Sequence, residues 1–446
     1  MPEPLAVNGG PPSLSPDAVL PSPPTTVLDE EMVLASLRSG VHAWGENCEA
    51  LQREWAAWNG NRHCIALNSG TAALHMCLAA CGVGAGDEVL TPAYSWTSSA
   101  TCILHQNAIP VFVDVEPQWQ NLDFSRAERA VTPRCKAILV VHLHGVPADM
   151  DAAMVLAKRH GLAVVEDCCQ AHGALYKGRK VGTIGHCAAF SLNQNKMLSA
   201  GEGGLFVTDS DQILNRGRSL VLFGDFRRRG EADVPEGSGY PGFGLGWMYR
   251  YNELSAAYAR AQLVRLDDGI AHARSLFAIL RRELSGLPGL ILPTEPAWAT
   301  ENAYNFVCHV DPGAVGYEGP VNVMREAVVR ALTAEGVPAF VWQRRILPEM
   351  AAIAHRNAYG GGSPWAEHGS HVAYDPSEYP VSLYHSASYF IIGGLRRPNT
   401  EDTARAIAAA VRKVFERISE VDMDRLARTA DVSIYERGWR GRRTSL

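Results

Sequence analysis

Seven short apolar runs between His63 and Asp209 constrain the fold of this chain more than anything else in it. They read HCIAL, DEVLTP, IPVFVDV, KAILVVHLHG, LAVVEDCC, CAAFSL and GLFVTD. Several are apolar throughout instead of alternating, as strands buried on both faces are. Helical segments such as TAALHMCLAACG and DMDAAMVLAKRHG separate them. This alternation predicts an α/β domain, with a mostly parallel sheet and helices on both faces.

The rest of the chain is organised around that block. Residues 1–25 are rich in Pro, Ser and Gly and read as a flexible or extended arm. A helical pattern from about Glu30 to Ala57 breaks near Gly40 and Gly45, and another runs from Leu254 to roughly Ser285. The large domain is therefore expected over 26–285. From 286 to 420 the texture changes to AYNFVCHVD, a helix over Val321 to Glu335, VPAFVW, SASYFIIGG and a helix over Thr400 to Ile418, which suggests a smaller α/β domain. A Gly-, Pro- and His-rich stretch near 357–380 reads as an irregular loop, and 421–446 as an arginine-rich tail.

Composition excludes several classes. A net charge of −6 argues against a nucleic-acid protein, whose domains carry a basic excess. No apolar run approaches the length of a membrane span. No basic and then apolar leader opens the chain, so a cytoplasmic protein is expected. The ten cysteines form neither a disulfide framework nor a zinc-type CxxC pair, so reduced thiols and no metal are expected. There are six lysines against 35 arginines. A lysine kept in such a chain is a candidate for chemistry arginine cannot do, since arginine stays protonated.

Four features then fall in order. In NSGTAALHMCLAACG a strand runs into Ser69-Gly70-Thr71 and a helix begins, which offers free amides and a positive dipole end to a phosphate. The same three residues are also how an ordinary helix cap reads. In TPAYSWTSSA an aromatic just past a strand end, Trp96 or Tyr94, is placed either to stack on a flat ring or to fill core. In LAVVEDCCQAHGA, Asp167 ends an apolar strand, where open α/β sheets bind ligands. It reads as a helix cap or as the partner of a protonated pyridine nitrogen. In FSLNQNKMLSAGEGG, Ser191 and Lys196 follow another strand end, before glycines that permit a tight return. A partly desolvated lysine there can form a Schiff base. Phosphate cradle, ring stacker, acid and lysine are together the parts of a pyridoxal phosphate site.

The blocks NSGTAAL, DEVLTPAYSWTSSA, VVHLHGVPADMD, the segment from VVEDCCQAHGA to FSLNQNKMLSAGEGG, and RYNELSAAYARAQL resemble the DegT/DnrJ/EryC1/StrS family of pyridoxal phosphate-dependent aminotransferases. The resemblance spans about residues 28–420. It implies fold type I of these enzymes: a large domain with a seven-stranded, mostly parallel sheet and a small C-terminal domain. It implies a homodimer acting on a keto-sugar or keto-cyclitol in sugar, secondary-metabolite or antibiotic biosynthesis. Glutamate or glutamine is the implied amino donor. By position, Lys196 looks like the Schiff-base lysine, Asp167 the partner of the ring nitrogen, Gln170 the neighbour of the ring hydroxyl and Trp96 the stacking aromatic. Gly70, Thr71 and Ser191 match the phosphate contacts.

One departure stands out. Where the family carries an asparagine that reaches the neighbouring subunit's phosphate, this chain has Met248, in GWMYRYNEL. Methionine cannot supply that donor, so either Arg250 or Asn252 substitutes for it or cofactor binding is weaker. The arginines 227–229 read as an anion contact or as a solvated loop. Other pyridoxal phosphate chemistry, namely dehydration, aldol cleavage, decarboxylation or oxidation, is the rival reading. Dehydratases of the family carry histidine at the lysine position, so Lys196 counts against dehydration. An intact lysine, aspartate and glutamine set likewise counts against a non-catalytic regulatory member.

Overall fold

The computed structural model describes residues 3–221 and 245–427. The arginines 227–229 and the tail beyond 427 lie outside the described residues. All seven expected runs form strands: β1 His63–Leu67, β2 Glu88–Pro92, β3 Ile109–Val113, β4 Cys135–Val141, β5 Ala163–Asp167, β6 Cys187–Ser191 and β7 Gly204–Thr208. They make one sheet in the order β1-β7-β6-β5-β4-β2-β3. Pairing is parallel from β6 across to β3, and β7 runs antiparallel to both β1 and β6.

The unbroken apolar runs are explained by a core on each face. In β4, Ile138 and Val140 pack with Trp55 and Leu156 on one side. Ala137 and Leu139 pack with Met76 and Ile103 on the other. Successive side chains of a strand point opposite ways, so a strand covered on both faces has no solvent position to make polar.

The C-terminal half builds a second, antiparallel sheet from β8 Leu290–Ile291, β9 Phe306–Val310, β10 Ala339–Phe340 and β11 Tyr389–Ile392, in the order β8-β9-β11-β10. Helices Val321–Ala334 and Glu401–Glu416 pack with it. The long helical pattern after Leu254 is two helices, Glu253–Leu263 and Leu266–Leu284. Among the described residues no helix is long and apolar enough to cross a membrane.

The N-terminal stretch read as a flexible or extended arm is docked. Leu5 is fully buried, and Leu14 nearly so, in the core of the C-terminal half. Buried Glu335 holds the arm: its carboxylate accepts from the amides of Ala6 at 2.8 Å and Ser13 at 3.1 Å, and pairs with Lys413 at 2.8 Å. Two apolar anchors and a carboxylate with amide partners supply what the composition of the arm did not advertise.

The 357–380 loop is irregular, as expected, and packs on the large sheet's edge. The Trp365 indole donates to Tyr374, whose hydroxyl donates to the Pro110 carbonyl, both at 2.8 Å.

Candidate active site

The carboxyl ends of the parallel strands gather the expected residues on one edge of the sheet. β1 ends at Leu67, and helix Gly70–Ala80 starts three residues later. Ser69 caps it, accepting from the Ala72 amide at 3.0 Å, while the Ser69 carbonyl takes the Ala73 amide. The amides of Gly70 and Thr71 are thus the first-turn donors left over. Ser191, at the end of β6, lies directly against this turn: a Cβ on Gly70 would sit 2.7 Å from Ser191 Cβ and 3.1 Å from Cys169 Sγ. Only glycine permits that approach. Thr71 Oγ1 meets Ser98 Oγ at 2.7 Å.

Asp167 closes β5 and is 5% exposed. One oxygen accepts from Ser99 Oγ at 3.0 Å and the other from the Cys169 amide at 3.1 Å. Among the described residues no lysine, arginine or histidine pairs with it. A buried carboxylate without a cation is costly unless the missing charge arrives with a ligand. Gln170 turns its Oε1 to the His144 amide at 2.8 Å, so its Nε2 remains as a donor. His172 Nε2 donates to the Ser191 carbonyl at 2.9 Å, and burial holds its pKa down at about 3.

Lys196 follows β6 in a turn closed by Lys196 N to Asn193 O and Gln194 N to Gly201 O. Asn193, Gln194 and Asn195 belong to that turn: the Asn193 side chain accepts from the Asn195 amide and donates to Glu202 at 2.9 Å. The Lys196 amine donates to Tyr304 Oη at 3.3 Å. Tyr304 comes from the C-terminal half, where its amide is held by Asn302 and its carbonyl by Arg396 at 2.6 Å. Trp96 stacks on Trp342, another residue of that half, at 5.4 Å between ring centres.

Asn252 uses one side-chain atom as a cap and keeps its Nδ2 as a donor. Its Oδ1 caps its own helix through the amides of Leu254 and Ser255, at 2.9 and 3.3 Å. Met248 sends its carbonyl to Asn68 beside the cradle at 3.2 Å, and its sulfur accepts from Arg250 at 3.1 Å.

His142, Glu166 and Cys168 lie under this edge with one donor atom each inside 4.8 Å of one another. Glu166 already accepts from the amides of Gly182, Ile184 and Gly185 and pairs with His142 at 3.1 Å, while burial pushes the Cys168 thiol up. The group is a filled internal network.

Sequence reasoning missed Ser99, Tyr304, Asn305, Trp342 and Arg396. The first sat inside a quoted block, and the polar pair in AYNF was the available hint for the next two. Trp342 and Arg396 gave no local signal. A 580 Å³ cavity between the two halves is lined by Asn195, Tyr304, Asn305, Trp342 and Arg396, with Ser22 of the arm on its wall.

The residues present fit pyridoxal phosphate: a crowded glycine turn with spare amides, an uncompensated buried acid, a free amide donor and a lysine on one edge. The family model of the DegT/DnrJ/EryC1/StrS aminotransferase family matches residues 25–371. The chain is 38% identical over 352 residues to an L-glutamine:2-deoxy-scyllo-inosose aminotransferase of Streptoalloteichus tenebrarius, covering 76% of this chain and 82% of that one. It is 33% identical to an L-glutamine:scyllo-inosose aminotransferase of Streptomyces griseus, covering 94% and 99%. The solved structure of 3-amino-5-hydroxybenzoic acid synthase superposes with a TM-score of 0.78 at 27% identity, covering 91% of this chain and all of that one.

Proposed function

Because the chain belongs to the DegT/DnrJ/EryC1/StrS aminotransferase family, we propose that it moves the amino group of L-glutamine or L-glutamate onto the ketone of a keto-cyclitol or keto-sugar. It is a pyridoxal phosphate-dependent aminotransferase, and the relatives' substrates favour the cyclitol. The observation that carries the reading is Lys196 donating to Tyr304 at 3.3 Å, where the 580 Å³ cavity begins. That volume suits a substituted six-membered ring.

The cofactor, when bound, supplies a carbonyl that takes and returns the amino group and a ring that withdraws electrons. The chain supplies the rest. Gly70, Thr71 and Ser191 would hold the phosphate. Asp167, steadied by Ser99 and the Cys169 amide, would pair with the ring N–H, and Gln170 Nε2 would donate to the ring hydroxyl. Lys196 Nζ would anchor the cofactor and, once the amino donor has displaced it, would be the free amine placed to take the donor's α-proton. Tyr304 fixes the amine's position and Trp342 walls the acceptor side.

The same reading makes the protein a homodimer. Val27, Leu28, Leu34, Leu37 and Val41 expose apolar side chains along one stretch, which a partner surface would cover. Sedimentation at micromolar concentration tests this, and a monomer rejects it. The free cysteines favour a reducing, cytoplasmic setting.

The deciding experiment loads the protein with pyridoxal phosphate and offers L-glutamine and then scyllo-inosose. A visible absorbance band that L-glutamine bleaches and the ketone restores supports the reading. Lys196→Ala should lack the band and lose about 10²–10⁴-fold in rate. A wild-type protein that stays colourless rejects it.

A further inference from the structure

A second cavity of about 270 Å³ opens beside the first, and Asn305 lines both. It lies between the carboxyl edge of the large sheet and the C-terminal half. Its polar wall includes Gln120, His144, His309 and His385, together with Glu301 and Asn305. We infer that this cavity is the acceptor's hydroxyl-recognition subsite, which receives the ring positions remote from the ketone. The inference rests on the keto-cyclitol or keto-sugar reading.

The side chains are ordered by one another in a way that fixes what they offer. Asn305 Nδ2 donates to His144 Nδ1 at 3.0 Å, which leaves the proton of His144 on Nε2. Gln120 Nε2 donates to His309 Nε2 at 2.9 Å, and His309 Nδ1 donates to Ser388 Oγ at 2.8 Å. His309 is thereby used up as a brace. Among the described residues, Gln120 Oε1, His144 Nε2 and both ring nitrogens of His385 are buried and make no hydrogen bond. The Glu116 backbone approaches the His385 ring without reaching hydrogen-bond geometry. Gln120, His144 and His385 are 5%, 4% and 3% exposed. Leaving four such atoms unmatched is expensive.

The inventory matches a polyol. Gln120 Oε1 accepts, His144 Nε2–H donates, and neutral His385 does one of each. Each hydroxyl of a ring needs both functions. An anion fits poorly, because burial keeps the His144 and His309 rings neutral, with pKa values held down at about 3 and about 4, and Glu301 is matched by Arg281. A metal ion fits no better. Both nitrogens of His309 are spent, and the only three-ligand group within 4.8 Å among the described residues is the filled one under Asp167.

The test uses the cofactor-loaded enzyme with L-glutamine and scyllo-inosose, in Gln120→Ala, His385→Ala and His385→Asn. The two alanine variants should lower kcat/KM for the ketone about ten- to a hundredfold. Bleaching of the visible band by L-glutamine alone should stay within twofold of wild type, and asparagine should recover part of the loss. Calorimetry with myo-inositol, an unreactive polyol, should show wild-type binding weakened in Gln120→Ala. Unchanged ketone kcat/KM in both alanine variants overturns the subsite while the aminotransferase reading stands. Equal losses in both half-reactions also overturn it. A wild-type enzyme that aminates no keto-cyclitol or keto-sugar removes the reading and the subsite together.

Discussion

The Lys196 amine donates to the Tyr304 hydroxyl at 3.3 Å, and the Tyr304 backbone is itself gripped by Arg396 and Asn302. The reactive amine is therefore positioned by the C-terminal half, although the lysine belongs to the large sheet. Tyr304→Phe removes the hydroxyl and keeps the ring. It should keep the visible band and lower kcat about tenfold, the scale of one hydrogen bond to a charged group. Single-turnover bleaching by L-glutamine measures it.

Gly70→Ala places a methyl group 2.7 Å from Ser191 Cβ. Neither the strand nor the helix start can yield without disturbing the amides between them. Cofactor affinity should fall by about tenfold or more, with thermal stability of the apoprotein reduced by about 1–3 kcal/mol from overpacking. Titration of the apoprotein with pyridoxal phosphate reads the first and a melting curve the second.

The buried imidazoles set an acid limit. Burial lowers His144 and His172 to about 3 and His309 to about 4, from an ordinary 6.5. The unfolded chain then binds more protons than the folded one below 6.5. Stability is full above that pH and declines as pH falls toward 4. Each group contributes a slope of up to about 1.4 kcal/mol per pH unit. Melting temperature should already drop between pH 6.5 and 5, before the carboxylates titrate, and His172→Gln should flatten the slope. A level profile there would mean that these rings do not stay neutral.

Glu335→Ala removes the carboxylate that holds Ala6, Ser13 and Lys413. The loss should be about 3 kcal/mol, the lower end for a broken buried pair because Lys413 keeps some solvent. Limited proteolysis should cut within residues 3–25 sooner than in wild type, with sites around Lys196 left intact.

The large sheet was legible because its signal is local. All seven strands announced themselves as apolar runs, and chain order gave the β–α alternation. Asp167 and Ser191 at strand ends, Gly70 and Thr71 at a helix start and Lys196 just past a strand had local signals, while Gln170 came only from the family resemblance. What stayed hidden depends on pairs far apart in sequence. Tyr304 gains its meaning only from Lys196, 108 residues earlier. His385 and Gln120 look like unremarkable polar residues until the fold puts both on the wall of one cavity, with Gln120 bonded to His309 of β9. The docking of the arm escaped notice because Pro- and Ser-rich composition says nothing about two leucines spaced to fit a distant core.

That docking has a consequence for how the molecule comes into being. Ala6 meets Glu335 across 329 residues of intervening chain. The segment 3–25 therefore cannot dock until the chain has been made as far as Glu335. Its place does not exist before the helix Val321–Ala334 has formed and turned back. Because Ser22 of the same segment lines the cavity beside Tyr304, that wall of the cavity is in place only once the helix exists to dock the segment.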